Sequence, residues 1–138
     1  MDEKLLQVIE YDQKVGFEPL MSFGSWRLAV LNYAPEMDVD AVPYPIEKHL
    51  ETDEVFLLYE GDAWLLIGGD GEECNNVEVI KMKPWVIYHV RLGCWHGTVA
   101  KKGAKMLLVE NKDTGSEKDT IRTKLSGSLQ LSVEEKLR

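Results

Sequence analysis

Apolar and polar positions along this 138-residue chain alternate in short runs, and turn residues punctuate the runs at near-even intervals. Trp26–Tyr33 (WRLAVLNY) is aromatic and β-branched enough for a buried strand. Glu54–Glu60 and Ala63–Gly68 flank Gly61-Asp62, whose turn chemistry predicts a tight hairpin. Gly68-Gly69-Asp70-Gly71 predicts a second turn, Val77–Lys81 a short strand, and Trp85–Val90 a strand entered after Pro84. Arg91–Gly93 turns into Trp95–Ala100, and Lys101-Lys102-Gly103 turns into Lys105–Glu110. Within Glu54–Glu60, alternation puts Glu54, Phe56 and Leu58 on one face and Val55, Leu57 and Tyr59 on the other. Short strands at even spacing with Gly-bearing turns indicate an all-β sandwich or barrel.

The flanks read less clearly. Leu5, Leu6, Val8 and Ile9 within Met1–Gly16 fit a short helix or an edge strand equally. Gly16–Gly24, with Pro19, reads as a loop, and Pro35, Pro43 and Pro45 keep the next stretch extended or turned. After Asn111, Lys, Asp, Ser and Thr dominate up to a weakly amphipathic stretch, Leu125–Leu137, which suits an edge strand, a short terminal helix or a mobile tail. The expectation is one domain over residues 1–138, with a barrel core at about 24–112 and a polar tail over 113–138.

Composition narrows the function classes. With 44% hydrophobic and 29% charged residues and a formal charge of −8, the chain offers no basic stripe. Nucleic acid and anionic membrane are therefore not expected partners. The charged start, MDEKLLQVIEYDQK, is not expected to act as a signal peptide, and no apolar run approaches the ~18–20 residues of a membrane span. Cys74 and Cys94 give no disulfide framework. A cytoplasmic location is expected.

The chemistry gathers in two stretches. In EKHLETDEVFLLYEG (Glu47–Gly61), Glu47 and His49 point to the same face of an extended chain, four residues turn, and Glu54 opens the next strand. In RLGCWH (Arg91–His96), a later strand brings His96. Two imidazoles and up to two carboxylates on neighbouring strands make a set suited to a divalent metal with free coordination positions. The alternative is a metal-free cavity lined by the same polar residues.

The spacing resembles the paired motifs of the cupin superfamily. In the first, G-x5-H-x-H-x3,4-E-x6-G, the second His falls on His49, the Glu on Glu54 and the closing Gly on Gly61. The second motif, G-x5-P-x-G-x2-H-x3-N, is matched by Gly93 and His96. Glu47 stands where the motif has its first His, Arg91 replaces the Pro, Ala100 replaces the Asn, and the leading Gly of each motif is missing. The resemblance spans about Tyr44 to Glu110. It implies a cupin-type double-stranded β-helix, a jelly-roll barrel open at one end to small molecules. It also implies a metal site of His49, Glu54 and His96, open to Glu47 as a fourth ligand, and pairing into a homodimer through edge strands. Fe, Mn, Ni and Zn all suit imidazole with carboxylate.

Three functions follow as expectations. The first is a divalent-metal-dependent enzyme (oxygenase, isomerase or lyase) on a small polar organic substrate, with Glu47 serving as catalytic base where it is not a ligand. The second is a metal-free sugar-nucleotide isomerase or epimerase, and the third a non-catalytic ligand-binding or sensor module. His89 lies outside the motif positions and reads as an ordinary strand residue, and Cys94 as a packing residue. Arg27 and Arg91 are the cations best placed to meet an anionic substrate, although a surface role is the leading expectation for each. Trp26, Trp64, Trp85 and Trp95 are expected mostly in the core, and Glu51, Asp53 and Glu60 on a solvated rim.

Overall fold

The structure is a computed structural model, and it describes residues 2 and 4–138. Ten strands form two antiparallel five-stranded sheets. The first holds β1 (Gly16–Phe23), β2 (Trp26–Asn32), β9 (Lys105–Asn111), β4 (Glu54–Glu60) and β7 (Ile87–Val90), in that order across the sheet. The second runs β10 (Thr120–Lys124), β3 (Pro45–His49), β8 (Trp95–Ala100), β5 (Ala63–Ile67) and β6 (Glu78–Lys81). Among the described residues one α-helix, α1 (Gly127–Leu137), follows β10, and a single 3-10 turn, Pro35–Met37, lies between β2 and β3. This all-β jelly roll with a single terminal helix is the architecture expected. Among the described residues no helix is long and apolar enough to cross a membrane.

The strands alternate as their sequences do. Phe56 and Leu58 of β4, Met106 and Leu108 of β9 and Ala29 of β2 meet Ala63 and Leu65 of β5 and Ala100 of β8 in the interior. Burying these side chains is the main stabilising term, at roughly 1.5–3 kcal/mol for each large one. The outer face of the second sheet carries another core. Tyr44, Leu66, Val77, Trp95 and Val99 pack beneath Leu125 and Val133, with Leu129 and Leu137 alongside. That double burial explains why AWLLI of β5 is a continuous apolar run: Leu65 faces the barrel and Leu66 faces the helix. Polar bonds fasten the helix. The Tyr44 amide donates to Gln130 Oε1 (2.9 Å), and Lys136 Nζ to the Val77 carbonyl (2.7 Å).

Several expectations need correction. Gly16–Phe23 is a strand, not a loop. It is an edge strand, where Pro19 is tolerated and coincides with a register shift. Gly61-Asp62 does not close a hairpin: β4 pairs with β7 and β9, whereas β5 pairs with β6 and β8. The turn instead carries the chain from one sheet to the other, and Gly61 (φ +81°) is so tight against the next turn that a Cβ would meet Ala104 Cα at 2.6 Å. No helix or strand covers the described residues up to 15, where Leu5, Leu6 and Val8 are exposed. The polar tail is ordered as β10 and α1, so the sheets extend past 24–112 on both sides. Trp64 and Trp95 are core residues, but Trp26 and Trp85 are exposed.

Candidate metal centre

Three strands supply the site. On β3, period-2 alternation turns Glu47 and His49 to the barrel interior. On β8, His96 lies directly opposite Glu47 in the register. On β4, in the facing sheet, Glu54 is the first inward position. The close approach of β3 and β8 depends on the residue after His96: a Cβ at Gly97 would meet the Pro45 carbonyl oxygen at 2.6 Å.

All four residues converge. One ligand atom from each of Glu47, His49, Glu54 and His96 lies within 4.8 Å of every other. Glu54 Oε1 is 3.1 Å from His49 Nε2 and 3.0 Å from His96 Nε2. Glu47 Oε1 is 3.4 Å from His49 Nε2 and 3.8 Å from His96 Nε2. His49, Glu54 and His96 are buried, and Glu47 is one-third exposed at its side chain.

The backs of the imidazoles fix which nitrogen faces the cluster. His96 Nδ1 is 2.9 Å from the Cys94 carbonyl. A carbonyl can only accept, so Nδ1 carries the proton and Nε2 presents a lone pair. His49 Nδ1 is 2.9 Å from Thr120 Oγ1 and 3.2 Å from Asp119 Oδ2. Thr120 donates to Asp119, leaving its oxygen to accept from the ring. Asp119 is itself fully buried and accepts from the Thr52 hydroxyl (2.7 Å) and the Glu51 amide (2.8 Å). Those bonds outweigh its burial and hold its carboxyl below the ordinary aspartate range. An acceptor behind each imidazole is the arrangement that orients metal-binding histidines.

Two nitrogen lone pairs and a carboxylate oxygen aimed at one point repel unless a positive charge lies between them. A divalent cation answers this. Donor atoms that share one such metal would stand roughly 3 to 3.5 Å apart, and Glu54 Oε1 lies 3.1 and 3.0 Å from the two ring nitrogens. Protons answer it in the metal's stead: although burial opposes the charge, Glu47 and Glu54 raise His49 to about 10. In the same way, the two imidazoles overcome the burial of Glu54 and lower it to about 2. The residues present therefore fit a divalent metal, with His49, Glu54, His96 and Glu47 as the donors.

The cluster opens on a cavity of about 410 Å³ walled by Phe17, Leu31, Met37, Phe56 and Leu108. Its charged lining is Arg27, Glu36, Glu47, Glu54, Glu110 and Arg122. Arg122 Nε is 3.4 Å from Glu47 Oε2, which ties down the most open of the four carboxylate and imidazole groups. Arg27, for which a surface role was the leading expectation, lies inside, 3.4 Å from the buried Glu110. Arg91 is exposed and outside the cavity, and His89 pairs with Asp53 on the exterior at 2.8 Å. Cys94 is partly buried; burial pushes its thiol, like that of Cys74, above the ordinary range.

Sequence reasoning missed Glu110, Asp119, Thr120 and Arg122. For Glu110 a signal existed: in KMLLVE it follows Met106 and Leu108 at period 2, an acid on a core-facing position. Asp119 and Thr120 sit in a polar tail whose pattern gives no hint of the site.

No family model and no curated protein matches the sequence, but solved structures do. A cupin-2 domain protein from Shewanella frigidimarina superposes with TM-score 0.51 at 17% identity, covering 79% of this chain and 87% of its own. Streptomyces PAC13, solved with uridine, gives TM-score 0.56 at 8% identity and coverages of 83% and 84%. An Fe(II) form of HppE gives TM-score 0.53 at 14% identity; 69% of this chain matches 48% of that one, about half its length. The chain therefore has the cupin fold, as its two motifs implied.

Proposed function

We propose that this protein is a divalent-metal-dependent enzyme acting on a small organic substrate inside the barrel, in the oxygenase, isomerase or lyase class. The observation that carries the reading is the convergence of four ligand atoms, two of them imidazole nitrogens whose lone pairs are oriented from behind. His49, Glu54 and His96 hold the metal, with Glu47 as fourth donor. The iron named in the HppE structure is one candidate; manganese, nickel and zinc suit the donor set equally. When bound, such a metal supplies Lewis-acid polarisation of a substrate oxygen or the means to engage dioxygen.

The chain's own residues divide the remaining work. Glu54 and the two histidines are enclosed and rigid. Glu47, the most solvent-open of the four, is the group placed to take a proton from substrate where it is not a ligand, with Arg122 positioning its second oxygen. The apolar walls exclude water from the bound molecule. A diphosphate-bearing sugar nucleotide suits the cavity poorly, because four carboxylates face two guanidinium groups there. We also infer a homodimer formed through the outer face of the first sheet, where Ile87 and Val109 are exposed.

Elemental analysis of the purified protein beside His96→Ala tests the reading. About one transition metal per chain, lost in the variant, is expected. No uptake by wild type even after incubation with divalent ions sinks it. Metal and ligand binding without turnover would turn the assignment to a sensor.

A further inference from the structure

Six buried side-chain polar atoms lack a partner among the described residues, and three of them belong to residues that line one cavity. These are Arg27 Nε, Glu110 Oε1 and Thr114 Oγ1. The other three, on Asn32, Tyr59 and Gln130, belong to residues outside its lining. The cavity trio is mutually braced. Arg27 donates to the Thr114 carbonyl (3.0 Å) and the Lys112 carbonyl (3.0 Å), and its terminal nitrogen lies 3.4 Å from Glu110 Oε2. Glu110 is 4% exposed and directly opposite Glu54 in the β4–β9 register. Enclosed polar groups left unpaired cost free energy unless a water or ligand completes them.

We propose that Arg27, Glu110 and Thr114 form a second subsite of this cavity, which holds a neutral hydroxyl group on a small ligand with an apolar body. The inference rests on the functional reading above only in taking the cavity as the ligand's place; it does not require the metal. Charge selects the group. A carboxylate would face Glu110, and an ammonium would face Arg27. A hydroxyl accepts from Arg27 Nε–H and donates to Glu110 Oε1, with Thr114 able to serve as either partner. The walls select the body, since Phe17, Leu31, Met37, Phe56 and Leu108 offer no hydrogen bonds. Glu110 stands opposite Glu54 in the register, so the subsite lies on the same inner face as that member of the four-residue cluster. An alcohol or phenol with a second oxygen is suited to engage both.

Phenol and toluene, near-isosteric and differing at the hydroxyl, are the probes. Their binding is titrated by NMR into the full-length protein as purified, with its metal content measured, and again after chelator treatment. The expected result is a preference for phenol of about tenfold or more in both preparations. The double variant Arg27→Met/Glu110→Leu, which leaves no lone buried charge, abolishes it. Thr114→Val, a milder change that keeps the charged pair, lowers it by about threefold. Should the double variant fail to fold by circular dichroism, Thr114→Val decides. Equal binding, or no binding of either probe, means that water alone completes the subsite and overturns the proposal. So does a preference that survives these variants, or one that disappears with chelator, since the metal would then be reading the hydroxyl. Metal content in the same preparations shows separately whether the metalloenzyme reading stands.

Discussion

The two sheets of this barrel are built from similar strands and treated oppositely on their outer faces. The second sheet, which carries Glu47, His49 and His96, is covered inside by the barrel core and outside by α1, so that Leu66 and Val99 are as enclosed as Leu65 and Ala100. The first sheet carries Glu54, Arg27 and Glu110 on its inner face but leaves Ile87 and Val109 in solvent on its outer one. Three of the four candidate ligands thus stand on a platform fixed from both sides. The fourth, with the proposed subsite, stands on a sheet whose back is available to another molecule. A rigid donor set and a free surface are obtained from one fold by the placement of a single eleven-residue helix.

The contrast is sharpest in deletion energies. Leu66→Ala removes a fully enclosed side chain beneath the helix and should cost about 2–5 kcal/mol in urea unfolding. Ile87→Ala, exposed in the single chain, should change stability by no more than about 0.5 kcal/mol at concentrations low enough to hold the protein monomeric. Comparable losses at the two sites in the monomer would mean that the first sheet is also covered within a single chain.

A smaller effect is expected behind His49. Asp119→Asn keeps the shape but withdraws the charge behind Nδ1, so metal affinity should fall by about 10- to 100-fold in competition with a chromophoric chelator. An unchanged affinity would show that Thr120 alone orients the ring.

The inner face of the first sheet can be read by pH. Burial, aided by the Glu54 charge and partly offset by Arg27, raises Glu110 to about 7. The folded chain therefore keeps a proton that the unfolded chain releases near the ordinary glutamate value of 4.5. The stability this confers is whole below about 4.5 and is lost as pH rises through about 7. Glu110→Gln should flatten that slope in denaturation of chelator-treated protein across this window. Parallel curves for variant and wild type would show that Glu110 does not titrate there.

The least energetic change addresses the open face. Ile87→Lys should shift the light-scattering mass from dimer to monomer and make the melting temperature independent of protein concentration. A wild-type mass equal to one chain would remove the dimer inference.

Much of this was legible from residue order. Alternation in VFLLYE and KMLLVE announced strands and their inward faces, and the spacing of His49, Glu54 and His96 announced a site shared between strands. Pairing was not legible. Gly61-Asp62 has the chemistry of a hairpin, and only the partners of β4 and β5, far away in sequence, show that it joins different sheets. Pro19 pointed to a loop because a proline cannot serve a central strand, yet an edge strand spares it. The tail was opaque for a related reason. A surface-like run such as DTIRTK becomes structural by pairing with β3, and nothing local in it records that contact.

The support behind His49 also has a consequence in time. Thr120, which holds its ring, lies 71 residues further along the chain, and Asp119 is beside it. On a ribosome the four donors from Glu47 to His96 emerge first, while the groups that orient His49 have yet to be translated. An ion arriving early would meet a loose, unoriented donor set, since His49 gains its support only when β10 pairs with β3. If the cluster holds a metal as proposed, the order of synthesis would put tight binding after the closing of the barrel.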